Sequence, residues 1–238
     1  MTVGVCVVVS PTRIVIARSP QGDEAIARTS DVTSSNTYHF ITRWRVEGTC
    51  GEVADVLGDP LAFPRWWPAV YLDVRQIEPP DARGLGRRVS VVSKGFLPYT
   101  IRWESRTTES RYPHGFTIVA RGDFDGHGNW TFEQDGLCVE IAYDWRLRAE
   151  KPLLRHLSFL LKPLFEANHR WAMAQGEHSL KLELLRRRAT TEAARAAVPM
   201  PPAPVTYAGI ALVAGAVGVT ASLAYLMRRS RRRSSHPV

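Results

Sequence analysis

The feature that most constrains the fold is a series of short segments in which apolar and polar residues alternate. In Val139–Arg148, the clearest of them, Ile141 and Tyr143 alternate with Glu140 and Asp144. This period of two predicts a strand with one buried face. Five runs of the same kind precede it, at Tyr71–Ile77, Arg87–Ser93, Tyr99–Ser105, Phe116–Ala120 and Asn129–Glu133.

Turn-forming residues separate these runs, so we predict an antiparallel meander of sequential strands. The predicted breaks fall at Pro79–Asp81, Lys94–Gly95, Tyr112–Gly115, Asp125–Gly126 and Asp135–Gly136.

The elements on either side of the meander complete the predicted fold. An alternating run, Tyr38–Val46, predicts one earlier strand, and Thr49 with Glu52 three residues later has the capping-box spacing of a short helix. After Pro152 the apolar period becomes helical for about 25 residues, with Pro163 expected to separate a first turn from the main helix. We therefore predict an α+β fold, in which a curved antiparallel sheet of about seven strands surrounds a long C-terminal helix.

A charge-free stretch near the C-terminus predicts a membrane span. Residues Tyr207–Met227 carry no formal charge, and five arginines follow them. At a rise of about 1.5 Å per residue this stretch spans the hydrocarbon core of a bilayer. We therefore expect a single-pass membrane protein that contacts membrane lipid. The five arginines favour a cytoplasmic C-terminus, which would place the folded domain outside, whereas the sequence shows no signal peptide to export it; we favour a cytoplasmic domain. Small residues four apart in the span, Ala214, Gly218 and Ser222, suggest a homodimer through this helix.

The expected organisation has five parts. They are a disordered segment over 1–35, a folded domain over 36–188, an Ala/Pro-rich linker over 189–206, the membrane helix over 207–227 and a basic tail over 228–238.

The basic charge does not indicate nucleic-acid binding. The formal net charge is +8, but nine of the 31 Lys and Arg and only one of the 23 Asp and Glu follow Leu185, so residues 1–185 hold 22 of each. The excess charge therefore flanks the predicted membrane span, where it is a topology signal and attracts anionic headgroups. We expect no nucleic-acid partner.

Known catalytic and metal-binding patterns are not found in the sequence, which contains no HExxH, GxSxG, Walker loop or Rossmann fingerprint. His169 and His178 are nine residues apart and share no metal-ligand spacing. We therefore predict no metal, no cofactor and no catalytic set.

Aromatic residues are abundant on faces that are predicted to point inward. They form either a packed core or the lining of a cavity for a large apolar ligand, and the sequence leaves both open. For the cavity, the predicted ligand-binding residues are Trp44, Trp66, Trp67, Tyr99, Trp103, Phe116, Trp130, Phe132, Tyr143, Trp145, Phe165 and His169.

The order of elements over about Asn36–Arg188 resembles the START-like superfamily, which is also called the polyketide cyclase/dehydrase and lipid transport family (SRPBCC type). Two segments strengthen the resemblance. Asp59–Pro68 is similar to the segment after the family's first helix, and Ala167–Met173 followed by Gly176, Glu177 and Leu180 is similar to the last helix of one bacterial subgroup.

This resemblance implies a helix-grip fold with a hydrophobic tunnel between sheet and helix. Members of the superfamily bind lipids, sterols, polyketides or quinone-like molecules, and some catalyse ring closure, but no universal catalytic residues carry over.

Three functions remain open at the level of sequence. The first is membrane-tethered binding or transfer of a hydrophobic small molecule. The second is a cyclase/dehydrase-type enzyme, which requires a proton-transfer group in the cavity; its candidate groups are Tyr99, Arg102, Tyr143 and His169. The third is a protein-interaction module whose cavity is filled solid by tryptophans.

Overall fold

The computed structural model of the protein describes residues 37–149 and 152–207, with side chains described except at 149 and 152–161. Seven strands are present: β1 (Thr37–Glu47), β2 (Tyr71–Glu78), β3 (Arg88–Lys94), β4 (Thr100–Ser110), β5 (Gly115–Gly122), β6 (Phe124–Asp135) and β7 (Cys138–Ala149). The helices are α1 (Cys50–Leu57), a 3-10 turn (Pro60–Ala62), α2 (Phe63–Trp66), α3 (Pro152–Arg188) and α4 (Glu192–Ala197).

All seven strands form one antiparallel sheet in the order β1-β7-β6-β5-β4-β3-β2. The meander is therefore continuous from β2 to β7, and β1 pairs with the last strand, Tyr38 opposite Leu147 and Val46 opposite Val139. This confirms the predicted antiparallel meander with one earlier strand.

The sheet curves around α3. His169 of α3 stacks on Phe40 of the edge strand β1, with ring centroids 4.1 Å apart. Asn168 of α3 accepts a hydrogen bond from the backbone of Leu97 in the β3–β4 connection, near the other edge. Because one helix contacts the sheet near both of its edges, the sheet must curve around that helix, which is the predicted helix-grip arrangement.

Local sequence signals account for where α1 begins. The Thr49 hydroxyl accepts a hydrogen bond from the Glu52 backbone, and the Glu52 carboxylate accepts one from the Thr49 backbone. This reciprocal capping box satisfies two donors that the first helical turn would leave unpaired. The cap predicted from the Thr49–Glu52 spacing is confirmed.

Helix α3 is longer than predicted, because it has 37 residues and passes through Pro163 without a break. Proline removes one backbone donor from a helix, yet α3 continues through Pro163, whose side chain is exposed. Pro152 occupies the first helical position, where its fixed backbone angle suits the helix.

The predicted turn at Asp125–Gly126 is wrong, because both residues lie inside β6. The chain turns earlier, at Gly122, whose φ of 141° suits glycine. Glycines within β6 instead allow close approach of β7: a β-carbon on Gly128 would lie 2.6 Å from the Tyr143 hydroxyl oxygen. Gly128 therefore provides the space in which the Tyr143 ring lies.

The segment after α3 contains a short helix that was not predicted. Thr191 caps α4 by accepting a hydrogen bond from the Ala194 backbone at 3.1 Å, and the helix itself is rich in alanine, the strongest helix former. Arg186 of α3 donates to the carbonyl of Pro199 at 2.8 Å, so the chain after α4 contacts the long helix again.

The prediction of a membrane-spanning helix, and of a membrane localisation based on it, is corrected here. No helix within 37–149 and 152–207 is both long and apolar enough to cross a bilayer. The long helix α3 carries many charged residues, which a span excludes. Of the predicted span Tyr207–Met227 only Tyr207 lies within the described residues, and 1–36 and 208–238 lie outside them.

Candidate functional site

Two cavities lie between the sheet and the helices, and we call them the outer and inner cavities. The outer cavity, of about 310 Å³, lies between α1, α2 and strands β3 to β6. Its deep end is formed by rings such as Phe63, Phe116 and Trp130, whereas Asp55, Asp59 and Arg87 lie where it meets the surface. The outer cavity is therefore aromatic inside and polar at its mouth.

The inner cavity, of about 170 Å³, lies between α3 and strands β1, β3, β4 and β7. Its wall includes Phe40, Tyr99, Trp145, Phe165 and His169. Aromatic rings and aliphatic side chains again make up most of the lining, so this cavity also suits an apolar ligand.

The two cavities share three side chains, Tyr71, Trp103 and Tyr143, which we call the shared wall. Trp103 has its polar group satisfied, because its indole N–H donates to the Ser93 hydroxyl at 3.0 Å. No protein hydrogen-bond partner within the described part of the chain accepts from the Tyr71 or Tyr143 hydroxyl. Among the described residues, the shared wall is thus where hydroxyl groups without a protein hydrogen-bond partner border both cavities.

Burial governs the acid–base state of these groups. It raises the pKa of both Tyr71 and Tyr143, and the nearby Tyr71 adds to the rise at Tyr143. Burial, with a smaller contribution from Arg170, lowers the pKa of His169 to about 4. At neutral pH the hydroxyls are therefore protonated donors and the imidazole is uncharged.

His169 is held on two sides. Its ring stacks on Phe40 at an interplanar angle of 14°, and its Nε2 lies 3.4 Å from the buried Thr42 hydroxyl. His169 and Phe40 also line a groove beside β1, which we call the side groove and which touches Trp44 and Glu177. His169 and Phe40 therefore separate the inner cavity from this groove.

The neighbouring residues of the subgroup-like helix segment have structural roles. The Asn168 side chain occupies the space beside Gly95, where a β-carbon would lie 2.1 Å from its oxygen. Gly176 lets the Trp67 ring lie against α3, because a β-carbon there would meet that ring at 2.2 Å. Gly176 thus brings α3 close to the segment that directly follows α2.

The predicted ligand-binding residues divide into three groups. Trp44 touches the side groove, and Trp66 and Phe132 are buried without lining any of the cavities described. The residues that line the outer or inner cavity are Trp67, Tyr99, Trp103, Phe116, Trp130, Tyr143, Trp145, Phe165 and His169.

Of the four candidate proton-transfer groups, Tyr99, Tyr143 and His169 line the inner cavity. Arg102 is exposed on the opposite face of β4 and lines neither cavity. Within the described residues no cluster of three or more His, Cys, Asp or Glu side chains could hold a metal ion.

Two important residues were missed by the sequence reasoning. Tyr71 lines both cavities, although its position at the start of β2, after Trp66–Trp67, marked it only as a strand residue. Glu183 of α3 is only 1% exposed and accepts two hydrogen bonds from Arg65, at 2.7 and 3.0 Å, and one from Arg187 at 2.8 Å. No local pattern reveals this pairing, because Arg65 and Glu183 are 118 residues apart.

The Glu183 carboxylate is charged despite its burial. Burial favours the neutral acid, but the hydrogen bonds from Arg65 and Arg187 outweigh it and lower the pKa of Glu183. The ion pair fixes α2 on α3. Phe63 of α2 lines the outer cavity, and Trp67, directly after α2, lines the inner cavity.

A curved sheet gripping a helix around an aromatic interior defines a class of fold with an internal binding space. No protein-family model matches the chain, and no curated protein matches it in sequence. Among solved structures, TTHA0849 from Thermus thermophilus is similar, with a TM-score of 0.52 and 13% identity over 64% of this chain and 100% of that one.

The Zhui aromatase/cyclase from Streptomyces sp. R1128 is similar to the same degree. Its TM-score is 0.51 at 15% identity, over 65% of this chain and 97% of that one. A START superfamily protein from Mycobacterium smegmatis matches with a TM-score of 0.48 at 10% identity, over 60% of this chain and 97% of that one. The described part of the chain shares the predicted helix-grip fold with TTHA0849 and the Zhui aromatase/cyclase, whose TM-scores exceed 0.5.

Proposed function

We propose that the protein binds a hydrophobic small molecule, of the lipid, polyketide or quinone-like kind, in the outer and inner cavities. The observation that carries the proposal is that two aromatic-lined spaces, of about 310 and 170 Å³, adjoin across one shared wall. Pockets of this size and lining are those that take small apolar ligands and orient them with a few polar groups.

The distribution of charge supports an apolar ligand. The charged residues that line the outer cavity, Asp55, Asp59 and Arg87, lie at its mouth, and Arg87 is engaged with the carbonyl of Gly58 at 2.9 Å. A ligand would pass this polar rim and then contact mainly rings.

Native mass spectrometry of the full chain, purified without detergent and followed by solvent extraction, tests the proposal. We expect a one-to-one mass increment that is lost on extraction. A clean apo mass that stays unchanged after incubation with lipid and aromatic extracts would contradict it. That outcome would favour the interaction-module hypothesis, although a module with a solid tryptophan interior does not match the two cavities.

A second candidate, proton-transfer catalysis of the cyclase/dehydrase type, rests on one specific observation. Uncharged His169 and the uncommitted Tyr143 hydroxyl both line the inner cavity, so a proton acceptor and a donor border the same space. Incubation with a poly-β-ketone thioester tests it. Loss of ring-closed product in His169→Gln, with ligand occupancy retained, would support catalysis, and no product with the wild-type chain would exclude it for this substrate.

A further inference from the structure

The two tyrosine hydroxyls of the shared wall are donors without an acceptor. Tyr143 is only 7% exposed, and Tyr71 lines the same two cavities. Among the residues whose side chains the structure describes, 37–148 and 162–207, neither hydroxyl has a hydrogen-bond partner. Both hydroxyls line the open space of the cavities, so a ligand bound there can supply the acceptor that the protein does not.

Both rings are held in place before any ligand arrives. The Tyr143 ring lies between Trp130, at a centroid distance of 3.9 Å and an angle of 14°, and Trp145, at 5.5 Å and 20°. The Tyr71 ring packs on Phe63 at 4.7 Å and on Trp67 at 5.0 Å. Fixed donors lose little freedom when they bind, so they discriminate well between ligands.

The backbone supports the position of the Tyr143 hydroxyl. Its oxygen lies so close to Gly128 that a β-carbon there would be 2.6 Å away. Any larger residue at 128 would displace the hydroxyl from the shared wall. The strand thus keeps a glycine where the hydroxyl has to fit.

The electrostatics of the shared wall selects the kind of acceptor. Its three side chains carry no formal charge, and burial raises the pKa of both tyrosines, so they remain donors at neutral pH. A ligand carboxylate would be buried here without a counter-charge, which is costly. A neutral carbonyl oxygen, with two lone pairs and no charge to desolvate, fits two nearby donors.

We propose that the ligand is a neutral, planar ring ketone whose carbonyl oxygen accepts hydrogen bonds from Tyr71 and Tyr143, with its apolar parts extending into the cavities on either side. This inference rests on the proposed function and specifies the polar recognition point within it. Tyr71 and Tyr143 are then specificity-determining residues, and the surrounding rings supply affinity without selecting for oxygen.

A matched pair of three-ring probes tests the inference: 9-fluorenone, which has the carbonyl, and fluorene, which lacks it. Equilibrium dialysis of the full chain with chromatographic detection should show that 9-fluorenone binds about tenfold more tightly than fluorene. In Tyr71→Phe/Tyr143→Phe this ratio should fall to about one while the affinity for fluorene is retained. The infrared carbonyl band of bound 9-fluorenone should lie at lower frequency in the wild-type protein than in the double variant.

Tyr207→Phe is the control, because Tyr207 lines neither cavity and the loss of its hydroxyl should leave the ratio unchanged. Equal wild-type affinities for the two probes, or a preference that survives in the double variant, would overturn the inference while leaving hydrophobic binding intact. If neither probe binds, the ring-ketone class is wrong, and the proposed function then depends on the separate mass-spectrometric result.

Discussion

Aromatic residues occupy two regions of this protein with opposite consequences. At the junction of α2 and α3, Trp66 is fully buried and lines no described cavity, and the neighbouring Trp67 ring lies against Gly176. At the shared wall, Trp103 and Tyr143 have cavities on two sides. The same residue types thus build solid packing in one region and a binding surface in the other.

The difference teaches that an aromatic pattern alone does not identify a binding site. What distinguishes the regions is what lies beside each ring: Trp66 packs against Phe63 and Trp67, whereas Tyr143 borders open space on two sides. Substitutions in the first region should reduce stability, and substitutions in the second should mainly reduce binding.

The largest effect is expected at Trp66. Trp66→Ala removes a side chain with 0% exposure from a closed junction and should lower the free energy of unfolding by about 4 kcal/mol. Trp145→Ala should cost about half as much, because one side of that ring already faces the inner cavity. Urea unfolding of both variants measures this, and equal losses would erase the distinction between the regions.

The ion pair beneath α2 should come next. Glu183→Gln keeps the shape but removes charge-assisted hydrogen bonds from Arg65 and Arg187, so we expect a loss of about 2 kcal/mol. Glu177→Gln, which breaks only the Glu177–Lys181 pair along the same helix, should cost under about 0.5 kcal/mol. A Glu183 variant as stable as the Glu177 control would show that this contact does not hold α2.

The cavity side makes its own prediction through pH. His169 has a pKa of about 4 in the folded chain, against a usual 6.5. Between these two pH values the unfolded chain binds a proton at His169 and the folded chain does not. Stability from this group is complete above pH 6.5 and falls as the pH drops towards 4, by about 2 kcal/mol between pH 8 and pH 5.

Chemical unfolding of the wild type and His169→Gln across this range measures the difference, with exposed His178→Gln as the control. If the wild type and His169→Gln show the same pH dependence, His169 is not buried in uncharged form.

The smallest change in stability is expected where a side chain fills space. Ser105 faces the outer cavity, so Ser105→Phe should change the free energy of unfolding by under about 1 kcal/mol yet reduce ligand occupancy at least tenfold. Ser90→Phe makes the same substitution on the opposite face of the sheet, at a residue that lines neither cavity. Native mass spectrometry should show full occupancy in Ser90→Phe, and equal occupancy in both would place the ligand elsewhere.

Much of the fold could be predicted because its signals are local. Alternation defined the strands, and the Thr49–Glu52 spacing defined the start of α1. The glycines of β6 misled the prediction, because Asp125–Gly126 has the composition of a turn, whereas its role depends on residues of β7 that approach it. A local pattern cannot show which strand lies beside a glycine.

The site was predictable in kind but not in detail. Inward-facing rings such as Trp103 and Tyr143 follow from strand periodicity, and both line cavities. Whether Trp66 packs solid and whether Tyr71 borders open space depend on how α2 lies on α3. That arrangement depends on Arg65 and Glu183, whose pairing spans 118 residues.

The position of β1 at one edge of the sheet has a consequence for how the chain acquires its structure. Among the described residues its strand partner is β7, which lies about a hundred residues later, with Tyr38 opposite Leu147. On the ribosome, β1 must therefore wait for nearly the whole domain to emerge before its hydrogen bonds can form. Pairing between distant strands costs loop-closure entropy and slows folding. The apolar face of β1 is therefore exposed for a longer time, and a chaperone would have its largest effect during that time.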